Sequence, residues 1–362
     1  MKNKIPVISF FTILAALTIW SWCKPADKIS DSELRRLAQF PKLSVKTVLA
    51  GDFMKQFESY SLDQFPMRDD FRTLKAVTYL SVFRQMDNNG IYVEDNYAVK
   101  MEYPLNEDSV DYAVDRFQNV YEKLLKGTDV NCFLAVVPDK NYYLAKEHGA
   151  LSFDYGKMYE KLQTGVNFAE YIDLTDLLKK SNYYRTDTHW NQVTLGPVAD
   201  RLAEAMGVTL DTAYEKKQSK SPFYGVYYGQ AALPMKADKM EYLTNAAIEA
   251  CTVTDLQNNK VIPVYDESKM TTRSPYDFFL GGSLSLITIE NPLATTEREL
   301  VVFRDSFGSS LAPLLISGYR KITIVDIRYL PGDRLGRFIQ FDNQDVLFLY
   351  STLVLNNSNV LK

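Results

Sequence analysis

Between Ser109 and Tyr350 the chain alternates two kinds of apolar pattern, and that alternation limits the fold more than any other feature. Val110, Ala113, Val114, Phe117, Val120, Tyr121 and Leu124 recur at helical spacing across residues 109–126. Residues 132–137 follow as an unbroken apolar run stopped by Pro138, the pattern of a buried strand. Residues 142–146 open another helix and residues 166–172 a short strand. Val198, Leu202, Ala205 and Met206 mark a helix stopped by Gly207. Residues 299–303, 321–325 and 346–350 read as three more strands, with a helix over 309–317 after the first of them. Strands that alternate with helices predict an α/β fold, a parallel sheet joined by right-handed crossovers.

Residues 210–298 depart from this pattern. They are rich in Tyr, Gly, Lys and Thr, and carry short alternating segments at 225–228, 261–265 and 284–289, which predict a β-rich insertion. Residues 90–99 read as a hairpin turning at Glu94–Asn96, and residues 69–84 as an amphipathic helix. Residues 24–64 form a polar stalk with a helical patch at 44–50, and the folded domain is expected over 65–362.

Ile5 to Cys23 is apolar apart from Pro6 and small hydroxyl residues. At ~1.5 Å per helical residue it comes close to the ~30 Å of a bilayer core. Lys2 and Lys4 precede it, which puts residues 1–4 in the cytoplasm and the chain from Lys24 outside it, with Trp20 and Trp22 at the interface. A cleaved signal peptide and a lipoprotein signal ending at Cys23 are the alternatives. Trp20-Ser21-Trp22 is too bulky for either cleavage site, so a single-pass anchor over 5–23 is expected, holding the rest extracytoplasmic on the cell membrane. There Cys132 and Cys251 have two options, a disulfide or buried free thiols.

The 362 residues are 46% hydrophobic and 24% charged, which excludes wholesale disorder. A net charge of -4 argues against a nucleic-acid partner. Two histidines and three cysteines supply no spaced cluster for zinc, so neither a metal nor a diffusible cofactor is expected. The 24 tyrosines suit sugar stacking as well as core packing. An imidazole base has two candidates, His148 and His189, and His148 lies among charges in Lys146-Glu-His-Gly149, as a solvated helix end would.

Two short segments carry chemistry. In Asp187-Thr-His189, an acid and an imidazole two apart on an extended segment point to one side. Asp187 can then hold Nδ1–H of His189 while Nε2 faces outward as a base. In Val301-Val-Phe-Arg-Asp-Ser306-Phe-Gly308, a strand meets a tight turn and then a helix, which puts a hydroxyl at the C-terminal edge of the sheet. The Ser306 N–H offers an oxyanion donor, and His189 offers the base that a serine nucleophile needs. The plain alternatives are a surface Asp–His pair and a helix N-cap.

Asp187-Thr-His-Trp190 together with Arg304-Asp-Ser-Phe-Gly308 resembles the SGNH-like alginate O-acetyltransferase family, and more closely the DHHW family. Phe65-Pro-Met-Arg68-Asp69, Val137-Pro-Asp-Lys140, Phe223-Tyr-Gly225, Phe279-Leu-Gly-Gly282 and Val325-Asp-Ile-Arg-Tyr329 extend the resemblance, in order, from Leu37 to Tyr350. It implies an SGNH-hydrolase-like, flavodoxin-type sheet with permuted motif order. It also implies an O-acetyltransferase or acetylesterase acting on a cell-surface polysaccharide through an acyl-Ser306 intermediate, with a multi-span membrane acyltransferase delivering the acetyl group. Thr188 stands where the DHHW motif has its first His, and Ser283 where the family has an Asn. Strand residues 346–350 lead into Ser351-Thr352, without the Gly-x-Asn of SGNH hydrolases, so the second oxyanion donor is open. Gly282 and Ser283 are candidates for it.

Arg304 and Arg328 are either sugar or oxyanion ligands or surface ion pairs. Trp190 either lines the acceptor site or packs beneath the Asp–His turn. Lys140 is either a substrate contact or a solvated lysine. The rival to an enzyme is a non-catalytic glycan-binding or scaffold protein with a decayed SGNH fold, and intact Asp187, His189 and Ser306 argue against it.

Overall fold

The computed structural model describes residues 4–30, 32–33 and 35–362, so the expected cytoplasmic positions 1–3 lie outside the described residues. The chain forms two compact units, Met1–Asn89 with Tyr228–Pro234, and Gly90–Tyr227 with Met235–Lys362.

In the first unit, Lys4–Cys23 is one helix, long and apolar enough to cross a membrane. Residues 24–64, expected as a stalk, hold ordered elements. These include the helices Val45–Leu49 and Asp52–Asp63 and an aromatic cluster of Phe40, Phe53, Phe57 and Tyr60. Ser44 caps the first helix through the Thr47 amide. Arg35 grips the Asp63 carboxylate with both terminal nitrogens, at 2.9 and 2.5 Å. The helix Arg68–Val77 continues as a π-turn, Thr78–Val82, close to the expected 69–84.

The second unit is built on an eight-stranded sheet. Its order is Lys260–Ile262, Thr252–Asp255, Leu286–Glu290, Lys321–Val325, Glu299–Arg304, Asp345–Ser351, Asn131–Val137, Glu170–Ile172. The last five strands run parallel. The first three are antiparallel to their neighbours, so the sheet is mixed rather than wholly parallel. All three come from the expected insertion. The short link between Asp255 and Lys260 permits only an antiparallel pair. The rest of that region forms a separate ribbon, Glu215–Phe223 with Asp238–Thr244. Of residues 225–228, read as alternating, 226–228 instead open the helix Val226–Ala231.

The parallel strands are apolar throughout because both faces are covered. Val302, Leu347, Leu349, Phe133 and Ala135 pack on one side with Trp190, the helix Gly196–Ala205 and residues 307–316. Val301, Phe303, Phe348, Tyr350, Leu134 and Val136 pack on the other with the helices Glu107–Val120 and Tyr155–Gly165. The alternation follows from successive side chains pointing to opposite faces. Cys132 and Cys251 are both free thiols.

Candidate active site

The strand Glu299–Arg304 ends in Asp305-Ser306, and the helix Phe307–Leu311 starts at once. Asp305, fully buried, holds this turn. One carboxylate oxygen accepts from the Phe307 amide at 3.0 Å, and the other from the Ser351 amide and hydroxyl at 2.8 and 2.6 Å. Two adjacent parallel strand ends are thereby tied together beneath Ser306.

The segment from Tyr183 to Trp190 closes on itself through an isolated bridge between those two residues. At its tip, Asp187 Oδ1 accepts from the His189 amide at 3.0 Å and lies 2.5 Å from Nδ1 of the ring. Nε2 of His189 stands 2.7 Å from Ser306 Oγ. With the Asp187 carboxylate accepting the Nδ1 proton, Nε2 is left to accept from the serine hydroxyl. Asp187 and His189 are buried and Ser306 is partly exposed. Burial by itself would lift the Asp187 carboxyl. The neighbouring His189 and the amides of His189 and Val226 outweigh it and hold the group below its usual range. Gly225 must be glycine here, since a Cβ would fall 2.1 Å from that of Asp187.

Residues that the sequence reading missed fix the imidazole plane. Tyr276, on the 3-10 turn Pro275–Phe278, stacks on His189 at 3.7 Å between ring centres and 5° between planes. Its hydroxyl and the Trp190 indole N–H both donate to Ser310 Oγ, at 2.7 and 2.9 Å, one turn beyond Ser306. No periodic signal marks Tyr276, because it lies in irregular chain 87 positions from His189.

For Trp190 and Arg328 the structure matches one of the two readings, packing beneath the turn and an ion pair, and for Arg304 and Lys140 it departs from both. Trp190 is fully buried and packs beneath the turn, so it lines no acceptor surface. Arg304 is also fully buried, and donates to the Gly282 carbonyl at 2.8 Å and to Asp326 at 3.4 Å. Arg328 is closed on Asp326 through Nε and Nη2 at 2.9 and 2.6 Å. Lys140 is neither solvated nor facing substrate. It is 2% exposed, donates to the Tyr184 carbonyl at 2.9 Å and lies 4.9 Å from the centre of the Tyr227 ring. Burial pulls its ammonium down to about 7.

Gly281 and Gly282 take φ values of 68° and 78°, a region open to glycine. The Gly282 amide is spent on the Phe279 carbonyl at 3.0 Å, so this residue brings an acceptor to the site, not an oxyanion donor. Ser283 is exposed. Among the described residues the amides of Ser283 and Ser306 meet no acceptor. His148, at the end of the helix Lys140–His148, stacks on Tyr92 and pairs with Glu94 at 2.6 Å, far in sequence from the serine turn.

No curated protein matches the chain significantly. Among solved structures, a DHHW family protein from Eubacterium siraeum superposes with a TM-score of 0.58 at 20% identity, covering 76% of this chain and 97% of that one. Bacillus cereus PatB1 carrying a sulfonyl adduct gives 0.54 at 20% identity, over 73% and 95%. A second PatB1 structure gives 0.52 at 21% identity, over 73% and 96%. At such identities these likenesses establish a shared α/β fold. The family model described as DHHW protein matches residues 119–325, which is more than half of the sequence and includes the Asp187–His189 and Arg304–Gly308 segments. The chain belongs to the DHHW family.

Proposed function

We propose that this protein is an SGNH-like serine acyltransferase that moves an acetyl group onto a cell-surface polysaccharide outside the cytoplasm. One observation carries the reading: Asp187, His189 and Ser306 form a continuous hydrogen-bonded chain whose serine is its most exposed member. Ser306 Oγ attacks the carbonyl carbon of the acetyl donor as its proton passes to His189 Nε2. Asp187 keeps the imidazole in the productive tautomer and balances the imidazolium. The Ser306 amide, at the start of the helix, donates to the oxyanion, with the Ser283 amide as second donor. Collapse of the tetrahedral adduct returns the proton to the leaving group and leaves acetyl-Ser306. A sugar hydroxyl then gives its proton to Nε2 and takes the acetyl group.

The PatB1 structure of like fold holds a sulfonyl adduct, and sulfonyl reagents are trapped by activated nucleophiles. Ser306 is the residue such a reagent would meet here. The helix Lys4–Cys23 would tether the chain to the membrane, where a membrane acyltransferase would supply the acetyl group.

The test is hydrolysis of p-nitrophenyl acetate by the full chain in detergent. The native protein should release p-nitrophenol in a burst, and Ser306→Ala should lose roughly a thousandfold or more of the rate. Equal rates for the two proteins would leave the non-catalytic glycan-binding reading in place.

A further inference from the structure

Asp277 follows Tyr276 on the same 3-10 turn, and its carboxylate has a different fate from every other acid around the site. It lies against the Gly281–Gly282 turn, so closely that a Cβ on Gly282 would fall 1.9 Å from its Oδ1. The Gly282 carbonyl is the one held by Arg304, two residues before Ser306. The preceding Tyr276 stacks on His189. Asp277 is therefore lodged between the partner of the base and the strand end that carries the nucleophile.

The neighbouring acids are saturated. Asp187 accepts from the His189 ring and the Val226 amide, Asp305 from Phe307 and Ser351, and Asp326 from Arg304 and Arg328. Asp139 accepts from Tyr155, Thr352 and the Asn141 amide. Asp277 is half-buried and meets no hydrogen-bond donor among the described residues. His189, Arg304 and Lys269, from the turn Glu267–Thr271, act on it only through their fields. Partial burial lifts its carboxyl above the usual range. Its carboxylate keeps an opening to solvent beside the reactive centre, through which the donor of a ligand can reach it.

We propose that the Asp277 carboxylate accepts a hydrogen bond from the incoming sugar, at a hydroxyl or ammonium group beside the hydroxyl that is acylated. This rests on the acyl-transfer reading above and narrows its substrate. A uronic acid acceptor would bring a carboxylate to a carboxylate. The two guanidiniums that would answer it, Arg304 and Arg328, are already closed on Asp326. Neutral and amino sugars fit the site, and Asp277 discriminates in their favour.

Acetyl transfer from p-nitrophenyl acetate to glucosamine, glucose and galacturonate oligomers, by the full chain in detergent, tests this. The native protein should take the amino and neutral oligomers with a lower KM than the uronate. Asp277→Asn should raise KM for the preferred oligomers about tenfold, the worth of one bond to a charged group, and should narrow their advantage over galacturonate. The p-nitrophenol burst should fall far less. Asp277→Ser guards against a fold-specific effect and should behave alike. An intact burst with unchanged acceptor KM would overturn the role of Asp277 alone, as would a burst lost in parallel with acceptor use in both variants. A native protein with no burst would overturn the acyl-transfer reading, and this role with it.

Discussion

The turn that carries Ser306 leaves a strand hydrogen-bonded on both sides, to Lys321–Val325 and to Asp345–Ser351. The segment that carries Asp187 and His189 has no such strand behind it. It is held at its base by the Tyr183–Trp190 bridge, at one point by the Ala98 amide donating to the Arg185 carbonyl at 2.8 Å, and elsewhere by contacts that involve side chains. Asp238 accepts from the Arg185 and Thr186 amides, Lys140 grips the Tyr184 carbonyl, the Tyr227 hydroxyl bonds Thr188, and the Val226 amide bonds Asp187. The serine is thus placed by backbone topology and the histidine by a set of separable polar contacts. A sheet edge resists single side-chain deletions, because its bonds are backbone bonds that no substitution removes. The loop should yield to such deletions in graded steps, each set by how much of the His189 geometry a contact controls.

The largest step is at Asp187 itself. Asp187→Asn preserves shape but has one acceptor oxygen where the carboxylate serves two sets of donors, the His189 ring on Oδ1 and the Val226 amide on Oδ2. Whichever bond the amide oxygen keeps, the other is lost, and an NH2 facing Nδ1 selects the wrong imidazole tautomer. The burst rate with p-nitrophenyl acetate should fall by about three to four orders of magnitude, with the fold intact by circular dichroism. A loss of less than tenfold would mean that the loop does not control the base.

Lys140→Met comes next and separates the loop from the sheet through pH. The folded chain holds this ammonium at about 7, whereas unfolded it returns to the ordinary 10.5. Between those values the unfolded state binds the extra proton, so stability should rise with pH across the window. The urea midpoint of the native protein should climb from pH 7 toward pH 9, and Lys140→Met should flatten that slope. The same change leaves the Tyr184 carbonyl without its donor, and the burst rate should fall by about tenfold through looser placement of His189. An unaltered slope would show that Lys140 is solvated in solution.

How legible each part was follows the same division. The serine turn could be read because its signal is local: an apolar run, Asp-Ser, then helical spacing, with strand limits that differ by a single residue at Arg304. The Asp-x-His pair was also local. The supports of the histidine were not. Tyr276, Lys140 and Asp238 reach it from three distant segments, and no spacing rule links them. Arg304 and Arg328 looked available because the one acid that answers both, Asp326, meets Arg304 only in three dimensions, although it stands just two residues before Arg328. Residues 225–228 read as alternating, yet Val226–Ala231 is helical, and its first amide is bonded by the Asp187 carboxylate. The helix Tyr155–Gly165 carried a readable signal that went unused: Asp154 caps the Lys157 amide, and Tyr155, Met158 and Leu162 share a buried face. The antiparallel half of the sheet depends on which strand edge the 252–290 region meets, and that is decided by tertiary pairing.

The smallest step tests whether the loop contacts act independently. The Tyr227 ring faces Lys140, and its hydroxyl lies 3.0 Å from Thr188 Oγ1, between the acid and the base. Tyr227→Phe keeps the ring over the ammonium and removes only that hydroxyl. Thr188 is partly exposed, so water can replace the lost partner, and the cost should stay near the net worth of one neutral hydrogen bond. That corresponds to a two- to fivefold loss in burst rate and about 1 kcal/mol of stability by urea titration. Combined with Lys140→Met, the losses should multiply if each contact bears on His189 separately. They should fall short of the product if both act by holding the Tyr227 ring in one place, since residues that share a partner are coupled. A double variant no slower than Lys140→Met alone would make the loop a single cooperative unit, and the contrast with the sheet edge would then be one of scale rather than of kind.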